Sequence, residues 1–306
     1  MSQGFTDRDV PELTGRTMVV TGANTGLGFE TAKVLAERGA RVLLACRSED
    51  KARTAIDSIR RHVDRSDRAA DLEFVELDLG DLASVEAAAA AISEEERLDV
   101  LVNNAGLMMP PLERTVDGFE SQLGVNHLGT FALTARLLDR LGEQEGSRAV
   151  VTSSIAHRGA RIRFDDLAAD DGYDRQDRYG QSKLANLLFA YELDRRLRAS
   201  GSPTIAVGCH PGIATTELTR HLPGVVQLAM PLVRPFVNDA GQGAWPTLMA
   251  ATSPAVDGGD YVGPSRFGET SGPAAHARSS ARSHDPELAR RLWDVSVELT
   301  GVDPGI

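Results

Sequence analysis

Apolar and polar positions alternate between two periods along the whole chain. Short runs of consecutive apolar residues are each followed by a longer segment in which apolar residues recur every three or four positions. The first pattern marks a strand buried on both faces, the second an amphipathic helix. The reading gives strands at Thr17–Thr21, Arg41–Ala45, Leu72–Leu77, Val100–Val102, Ala149–Ser153, Thr204–Val207 and, last and shortest, Asp260–Val262. Helices are predicted at Gly26–Arg38, Glu49–Val63, Leu82–Ser93, Val116–Leu141, Arg178–Ala199, Ala240–Thr252 and Pro286–Thr300. Residues 211–237 are broken by proline and read as irregular, with an apolar stretch at Leu222–Val233. Strand–helix alternation with unbroken apolar strands implies an α/β fold: a doubly wound, parallel, seven-stranded sheet with helices on both faces. In such a sheet the ligand crevice lies beyond the carboxyl ends of the strands.

Composition narrows the class. The chain has 306 residues, 42% hydrophobic and 25% charged, and a net charge of −11. That charge lacks the basic footprint of a nucleic-acid binder. It also means that any polyanionic ligand must be met by backbone N–H groups or a placed arginine. Two cysteines, Cys46 and Cys209, make neither a disulfide framework nor a metal cluster, so free thiols in a reducing compartment and no metal site are expected. Leu222–Val233 is too short and too interrupted to span a bilayer, and Met1–Glu12 is polar; a cytoplasmic protein without a membrane span is the expectation.

The chemistry sits at predicted strand ends. Thr21-Gly22-Ala23-Asn24-Thr25-Gly26-Leu27-Gly28 joins the first strand to the first helix. Glycine lets a phosphate approach the backbone, and a helix N-terminus offers unpaired N–H groups and a favourable dipole. The spacing G-x-x-x-G-x-G suits a dinucleotide pyrophosphate. After the second strand, Cys46-Arg47-Ser48 carries no acid to bind a ribose 2′-hydroxyl, whereas Arg47 suits a 2′-phosphate, with Asn24 and Ser48 nearby. NADP, as NADPH in preference to NADH, is therefore the expected cofactor. Asp78 with Leu79, after the third strand, suits the adenine edge, or Asp78 acts as a helix cap beside Asp81.

Tyr179 and Lys183 lie four residues apart on one helix face. A tyrosine with its usual pKa of ~10 is a poor acid or base at neutral pH; a neighbouring ammonium favours the phenolate. Lysine is used only at 33, 51 and 183 in a chain that otherwise prefers arginine, and lysine suits a compact, tunable ammonium. Ser153-Ser154 ends a central strand, where a hydroxyl can meet a substrate carbonyl. Asn126, a poor helix former inside a helical stretch, marks a kink, a held water or a satisfied polar contact. His127 and His157 have no partner at metal-ligand spacing and read as structural, and His210 precedes Pro211 at a strand end.

Taken in order, Thr21–Gly28, Asn103–Gly106, Asn126, Ser154, Tyr179/Lys183 and Pro211-Gly212 resemble the short-chain dehydrogenase/reductase family over essentially the whole chain. Ala45-Cys46-Arg47, Val125–Gly129, Ser153–His157 and the C-terminal Arg291-Leu292-Trp293 with Glu298–Gly301 are similar to its retinol-dehydrogenase-like microbial branch. The resemblance implies one domain over 1–306, with 14–210 as dinucleotide-binding core bearing the catalytic residues and 211–306 as substrate lid and C-terminal segment. It implies Tyr179 as acid/base, Lys183 lowering its pKa and holding the ribose, Ser154 orienting a carbonyl, and Asn126 anchoring a relay water. Asn104, Ala105 and Gly106 would flank the adenosine half, and Pro211, Gly212, Ile213 and Thr216 the nicotinamide end. A homodimer through the helices bearing Asn126 and Tyr179 and a small alcohol, aldehyde or ketone substrate follow in the same way. Two departures from animal retinol dehydrogenases are expected to count against a retinoid substrate: Met1–Glu12 is polar where those proteins carry a membrane-anchoring N-terminal helix, and the segment between Arg158 and Arg178 is rich in Asp. Two other readings stay open: a dinucleotide-binding sensor or scaffold without catalysis, and a carbon–carbon double-bond reductase of the same fold.

Overall fold

A computed structural model describes residues 4–63, 69–214 and 237–306. A single sheet runs through it in the order β3-β2-β1-β4-β5-β6-β7-β8. The strands are β1 (Thr17–Thr21), β2 (Arg41–Cys46), β3 (Leu72–Glu76), β4 (Val100–Asn103), β5 (Arg148–Thr152), β6 (Ile205–Cys209), β7 (Tyr261–Arg266) and β8 (Ser271–His276). Strands β1–β7 pair in parallel, as the apolar runs predict, whereas β8 pairs antiparallel with β7. The predicted seven-stranded parallel sheet is thus corrected to eight strands with an antiparallel edge. Ser271–His276 escaped the sequence reading because it reads Ser-Gly-Pro-Ala-Ala-His, with no β-branched or alternating signal. Proline is tolerated there because an edge strand needs fewer ladder donors.

Side chains of the central strands alternate between two layers, as the pleat requires. Val20, Val42, Leu44, Val102, Val150 and Val207 point into one core with α1 (Gly26–Glu37), α2 (Glu49–Val63) and α7 (Ala240–Thr252). Val19, Leu43, Leu101, Ala149, Val151 and Ala206 point into the other, with α3 (Leu82–Ser93), α5 (Gly129–Gly142) and α6 (Arg175–Ser200). Strand order reverses between β1 and β4, so β2 and β4 flank β1 and the chain leaves the two strand ends in opposite directions. That divergence opens a crevice at the carboxyl edge.

The predicted helix 116–141 is broken at its start. Glu120 caps the short helix α4 (Ser121–Leu123), its carboxylate accepting the Gln122 and Leu123 N–H groups. A π-helical turn follows at Gly124–Leu128, and only then α5. Helix α6 begins earlier than predicted because Asp174, one of the Asp-rich residues, caps it through the Gln176 and Asp177 N–H groups. Others of that run pair with arginines, Asp166 with Arg178 and Asp170 with Arg114. The C-terminal helix α8 (Pro286–Thr300) starts on a proline behind an Asp285 cap and ends at Gly301 with φ +67°, the usual punctuation of a helix. It lies on α5 and α6 through Trp293, whose ring meets Phe131 edge-on at 5.2 Å and Phe189 at 6.0 Å. Among the described residues no helix is long and apolar enough to cross a membrane.

Candidate active site

The crevice is a cleft of about 700 Å³ lined from Gly22–Leu27 through Cys46–Ser48 and Asn104–Met109 to Ser154, Tyr179 and Pro211–Ala214. At its floor, Thr21 ties β1 to β4: its hydroxyl accepts the Asn104 and Ala105 N–H groups at 3.0 and 2.9 Å, and its carbonyl accepts the Asn104 amide at 2.9 Å. Gly22 and Gly26 adopt φ +66° and +59°, open to glycine at little cost. A side-chain carbon at Gly28 would sit 2.4 Å from the Gly22 carbonyl oxygen and 2.6 Å from the Asn104 amide, so α1 approaches the strand end closer than any other residue permits. Thr25 precedes α1 without capping it through its side chain, leaving first-turn N–H groups facing the cleft. The turn therefore fits a pyrophosphate.

Arg47 stands at the rim, its side chain 78% exposed, with a guanidinium nitrogen 3.7 Å from Asp78. Asp78 also accepts the Gly80 N–H at 2.9 Å, whereas Asp81 caps α3 through the Ala83 and Ser84 N–H groups, so the cap falls to Asp81 and not to Asp78. Lys51, in the first turn of α2, lines the same rim as Arg47, Ser48 and Leu79; it went unassigned in the sequence, where only its rarity among arginines could have drawn notice. Cys46 and Cys209 are free and buried. Burial pushes the Cys46 thiol up to about 11 despite N–H donors from Asn24 and Ala23.

Four predicted residues meet at the end of β5. Ser154 caps the 3-10 turn Ile155–His157, its hydroxyl accepting the Ala156 N–H at 3.2 Å, and neighbours the Tyr179 phenol. Lys183 lies over the Tyr179 ring, 5.8 Å from its centre, and donates to the Thr152 carbonyl at 3.3 Å. Asn126, at the heart of the π-helical turn, is fully buried. Its amide donates to the Leu107 carbonyl at 3.0 Å and to Ser182 Oγ at 2.9 Å, and its Oδ1 accepts the Leu107 N–H at 2.6 Å. A side-chain carbon at Gly106 would lie 2.9 Å from Asn126 Oδ1 and 3.4 Å from Lys183 Nζ, which places both groups against the same glycine. The kink foreseen at Asn126 is this π turn, a device common at functional sites. Burial pushes the Tyr179 phenol above its usual value, offset in part by the neighbouring Ser154 hydroxyl. Burial pushes the Lys183 ammonium down to about 8, against an upward pull from Cys209.

At the other end of the cleft Gly212 takes φ +74°, and a side-chain carbon there would strike the Thr270 carbonyl oxygen at 2.4 Å. The Ile213 N–H donates to that carbonyl at 2.9 Å, so the β7–β8 turn supports Pro211–Ile213. His210 is buried outside the cleft, its Nδ1 accepting the Gly212 N–H at 3.2 Å and its Nε2 lying 3.2 Å from Glu269. Burial pushes the His210 imidazole down, against the pull of Glu269. Burial would push the Glu269 carboxyl up, but His210, the Arg278 N–H and Arg158 outweigh it and hold the group down at about 2. His157 is also buried, bonded to the Ser154 carbonyl and the Ser280 N–H at 2.6 and 3.0 Å. No group of three metal-ligating side chains exists among the described residues. Thr216 and Leu222–Val233 lie outside the described residues. Met108 and Met109, absent from the sequence reading, form an exposed apolar lip of the cleft.

Residues 16–224 match the short chain dehydrogenase family. The chain belongs to that family. This short-chain dehydrogenase is 42% identical over 294 residues to human retinol dehydrogenase 12, covering 95% of its own length and 88% of the relative. It is 42% identical over 293 residues to human retinol dehydrogenase 11, with 95% and 87% covered. Among solved structures, an uncharacterized protein from Mycobacterium paratuberculosis superposes with a TM-score of 0.83 at 40% identity, over 99% of this chain and 100% of that one. An NAD(P)-dependent gluconate 5-dehydrogenase from Beutenbergia cavernae, with bound NADP, shares the fold at a TM-score of 0.65 and 24% identity, over 82% and 95% of the two chains. The protein is thus a retinol-dehydrogenase-like oxidoreductase of an NAD(P)-using family.

Proposed function

We propose that this short-chain dehydrogenase interconverts a hydroxyl and a carbonyl group on a small, apolar alcohol, aldehyde or ketone, with NADP(H) as cofactor and Tyr179 as the acid/base. The observation that carries the reading is the convergence of Ser154, Tyr179 and Lys183 at the end of β5, with Ser154 and Tyr179 on the wall of a cleft that starts at a phosphate-shaped turn and Lys183 buried behind them. Gly22–Gly28 would hold the pyrophosphate, Asn104–Gly106 the adenosine side, and Pro211–Ile213 the nicotinamide end. When bound, the nicotinamide supplies or accepts the hydride. Ser154 hydrogen-bonds the substrate oxygen and orients it toward Tyr179. The Tyr179 phenol gives its proton to that oxygen in reduction and takes one back in oxidation. Lys183, held by the Thr152 carbonyl, places a positive charge under the phenol as phenolate character develops, so that it acts on the transition state more than on the resting enzyme.

Arg47 and Lys51 at the rim, with no carboxylate at the tip of β2, favour a 2′-phosphate and therefore NADPH. Met108, Met109, Val125 and Ile155 give the substrate end an apolar lining. The test is NADPH oxidation against a panel of aldehydes, ketones and quinones, with NADH in parallel. Carbonyl-dependent turnover that favours NADPH supports the reading. Tight NADPH binding with no turnover on any carbonyl would turn it toward a sensor.

A further inference from the structure

A second set of buried polar groups stands behind the reacting ones. Asn186, one turn beyond Lys183 on α6, is 2% exposed, and its amide donates at 3.0 Å to the Thr152 carbonyl, the same oxygen that accepts from Lys183. His127, adjacent to Asn126 in the π turn, is 1% exposed and faces Asn186. His127 Nδ1 and Asn186 Oδ1 are both buried without a hydrogen-bond partner among the described residues. On its far side His127 Nε2 lies 2.9 Å from the hydroxyl of Ser296, a fully buried residue of α8. Ser296, His127 and Asn186 thus follow one another from α8 to the Thr152 carbonyl, the oxygen that Lys183 also uses.

Packing does not call for this line. His127 lies among the rings of Phe131 and Phe189, next to Trp293, where an apolar side chain would fill the space without unpaired donors or acceptors. What the polar groups provide is direction. Thr152 ends β5 and is followed by Ser153, whose hydroxyl donates at 2.7 Å to the Lys183 carbonyl, and by Ser154. Clamping the Thr152 carbonyl therefore fixes both the acceptor of the Lys183 ammonium and the start of the segment that presents Ser154.

We propose that the His127 Nδ1–H donates to Asn186 Oδ1, and that Asn186, so backed by His127 and by Ser296 of the C-terminal helix, is a positioning residue for Lys183 and the end of β5. The inference rests on the proton-transfer reading above. The charged and titratable groups that face Lys183 are Tyr179 on its own helix and the Cys209 thiol on β6; Asn186 acts beside them through the shared carbonyl.

The test compares full-length wild type, Asn186→Leu, Ser296→Ala and Tyr179→Phe. Each is measured for kcat against pH with the best carbonyl found, for NADPH dissociation constant by fluorescence, and for Tm. Misplacement of a reacting group by about 1 Å costs on the order of 100-fold in rate. Asn186→Leu is expected to lower kcat by about 10- to 100-fold with NADPH affinity within about threefold, and to move the basic limb of the pH profile to lower pH, because the ammonium loses a fixed acceptor. Ser296→Ala removes one hydroxyl at the outer end and is expected to shift the same limb in the same direction with a loss of a few-fold. A folded Asn186→Leu enzyme with an unchanged limb and an unchanged kcat overturns the inference; should Asn186→Leu not fold, an unmoved limb in Ser296→Ala overturns it. Tyr179→Phe separates the two claims: activity retained there sinks the proton-transfer reading itself, whereas activity lost there but kept in Asn186→Leu sinks only the positioning role.

Discussion

The buried imidazole at His127 makes a quantitative acid-stability prediction. Burial pushes its pKa down from 6.5 to about 4, against a smaller upward pull from Asn186. A base whose folded pKa is depressed resists protonation that the unfolded chain accepts, so folding stability falls as pH drops from 6.5 toward 4 and does not change further below that. The full difference corresponds to roughly 3 kcal/mol at 1.36 kcal/mol per unit. Between pH 7 and pH 4.5 the linkage relation gives about 2 kcal/mol of that loss, since the folded imidazole is still mostly neutral at the lower pH. A domain with a total stability of about 5–15 kcal/mol would register this clearly. The assay is urea unfolding followed by circular dichroism at both pH values, for wild type and His127→Gln. Other acid-sensitive groups, such as His157 and His210, contribute equally to both proteins and cancel in the difference. Wild type should lose about 2 kcal/mol more than the variant over this interval. Equal losses would show that His127 is not held neutral by burial, and the buried polar line from Ser296 to Thr152 would have to be redrawn.

Two further substitutions test the cleft. In Gly28→Ala the added carbon meets a backbone carbonyl at 2.4 Å, so the start of α1 must shift; an overpacked site of this kind costs about 1–3 kcal/mol. Thermal unfolding should register that cost, and NADPH titration should show binding weakened about tenfold or more; unchanged binding would mean that the turn does not carry the pyrophosphate. Arg47→Ala and Lys51→Ala each remove a charge-assisted contact expected at the 2′-phosphate, worth about 1.5–3 kcal/mol. KM for NADPH should rise by about one to two orders of magnitude while KM for NADH stays put, and a parallel rise in both would refute the assignment.

The sequence disclosed most of this architecture because the parallel strands are buried on both faces and therefore spell unbroken apolar runs. Leu101, Val150 and Val207 were legible as strand residues for that reason. Helix α8 was legible to its ends because Pro286 and Gly301 punctuate it. The antiparallel β8 was not, since an edge strand held by main-chain bonds to β7 needs no hydrophobic pattern of its own. Glycine spacing and the Tyr179/Lys183 interval exposed the two ends of the cleft, for these follow from local chain geometry. Lys51, Asn186 and Glu269 stayed hidden because their surroundings are built from distant segments. Glu269 meets His210 and Arg158 only after the β7–β8 turn folds back. The burial of Tyr179 was hidden for a related reason: a neighbouring lysine can be read from an interval of four, but the degree of burial, which raises the phenol's pKa, belongs to the tertiary structure.

The central claim is that Tyr179 moves the proton in a carbonyl reduction, and Tyr179→Phe removes that hydroxyl and little else. Steady-state NADPH oxidation with a turned-over aldehyde or ketone, measured beside NADPH binding, is the decisive experiment. A positioned acid/base contributes about 10²- to 10⁴-fold, so kcat should fall by that factor while the dissociation constant for NADPH changes little. A variant that keeps most of its rate, with the cofactor still bound, would contradict the account.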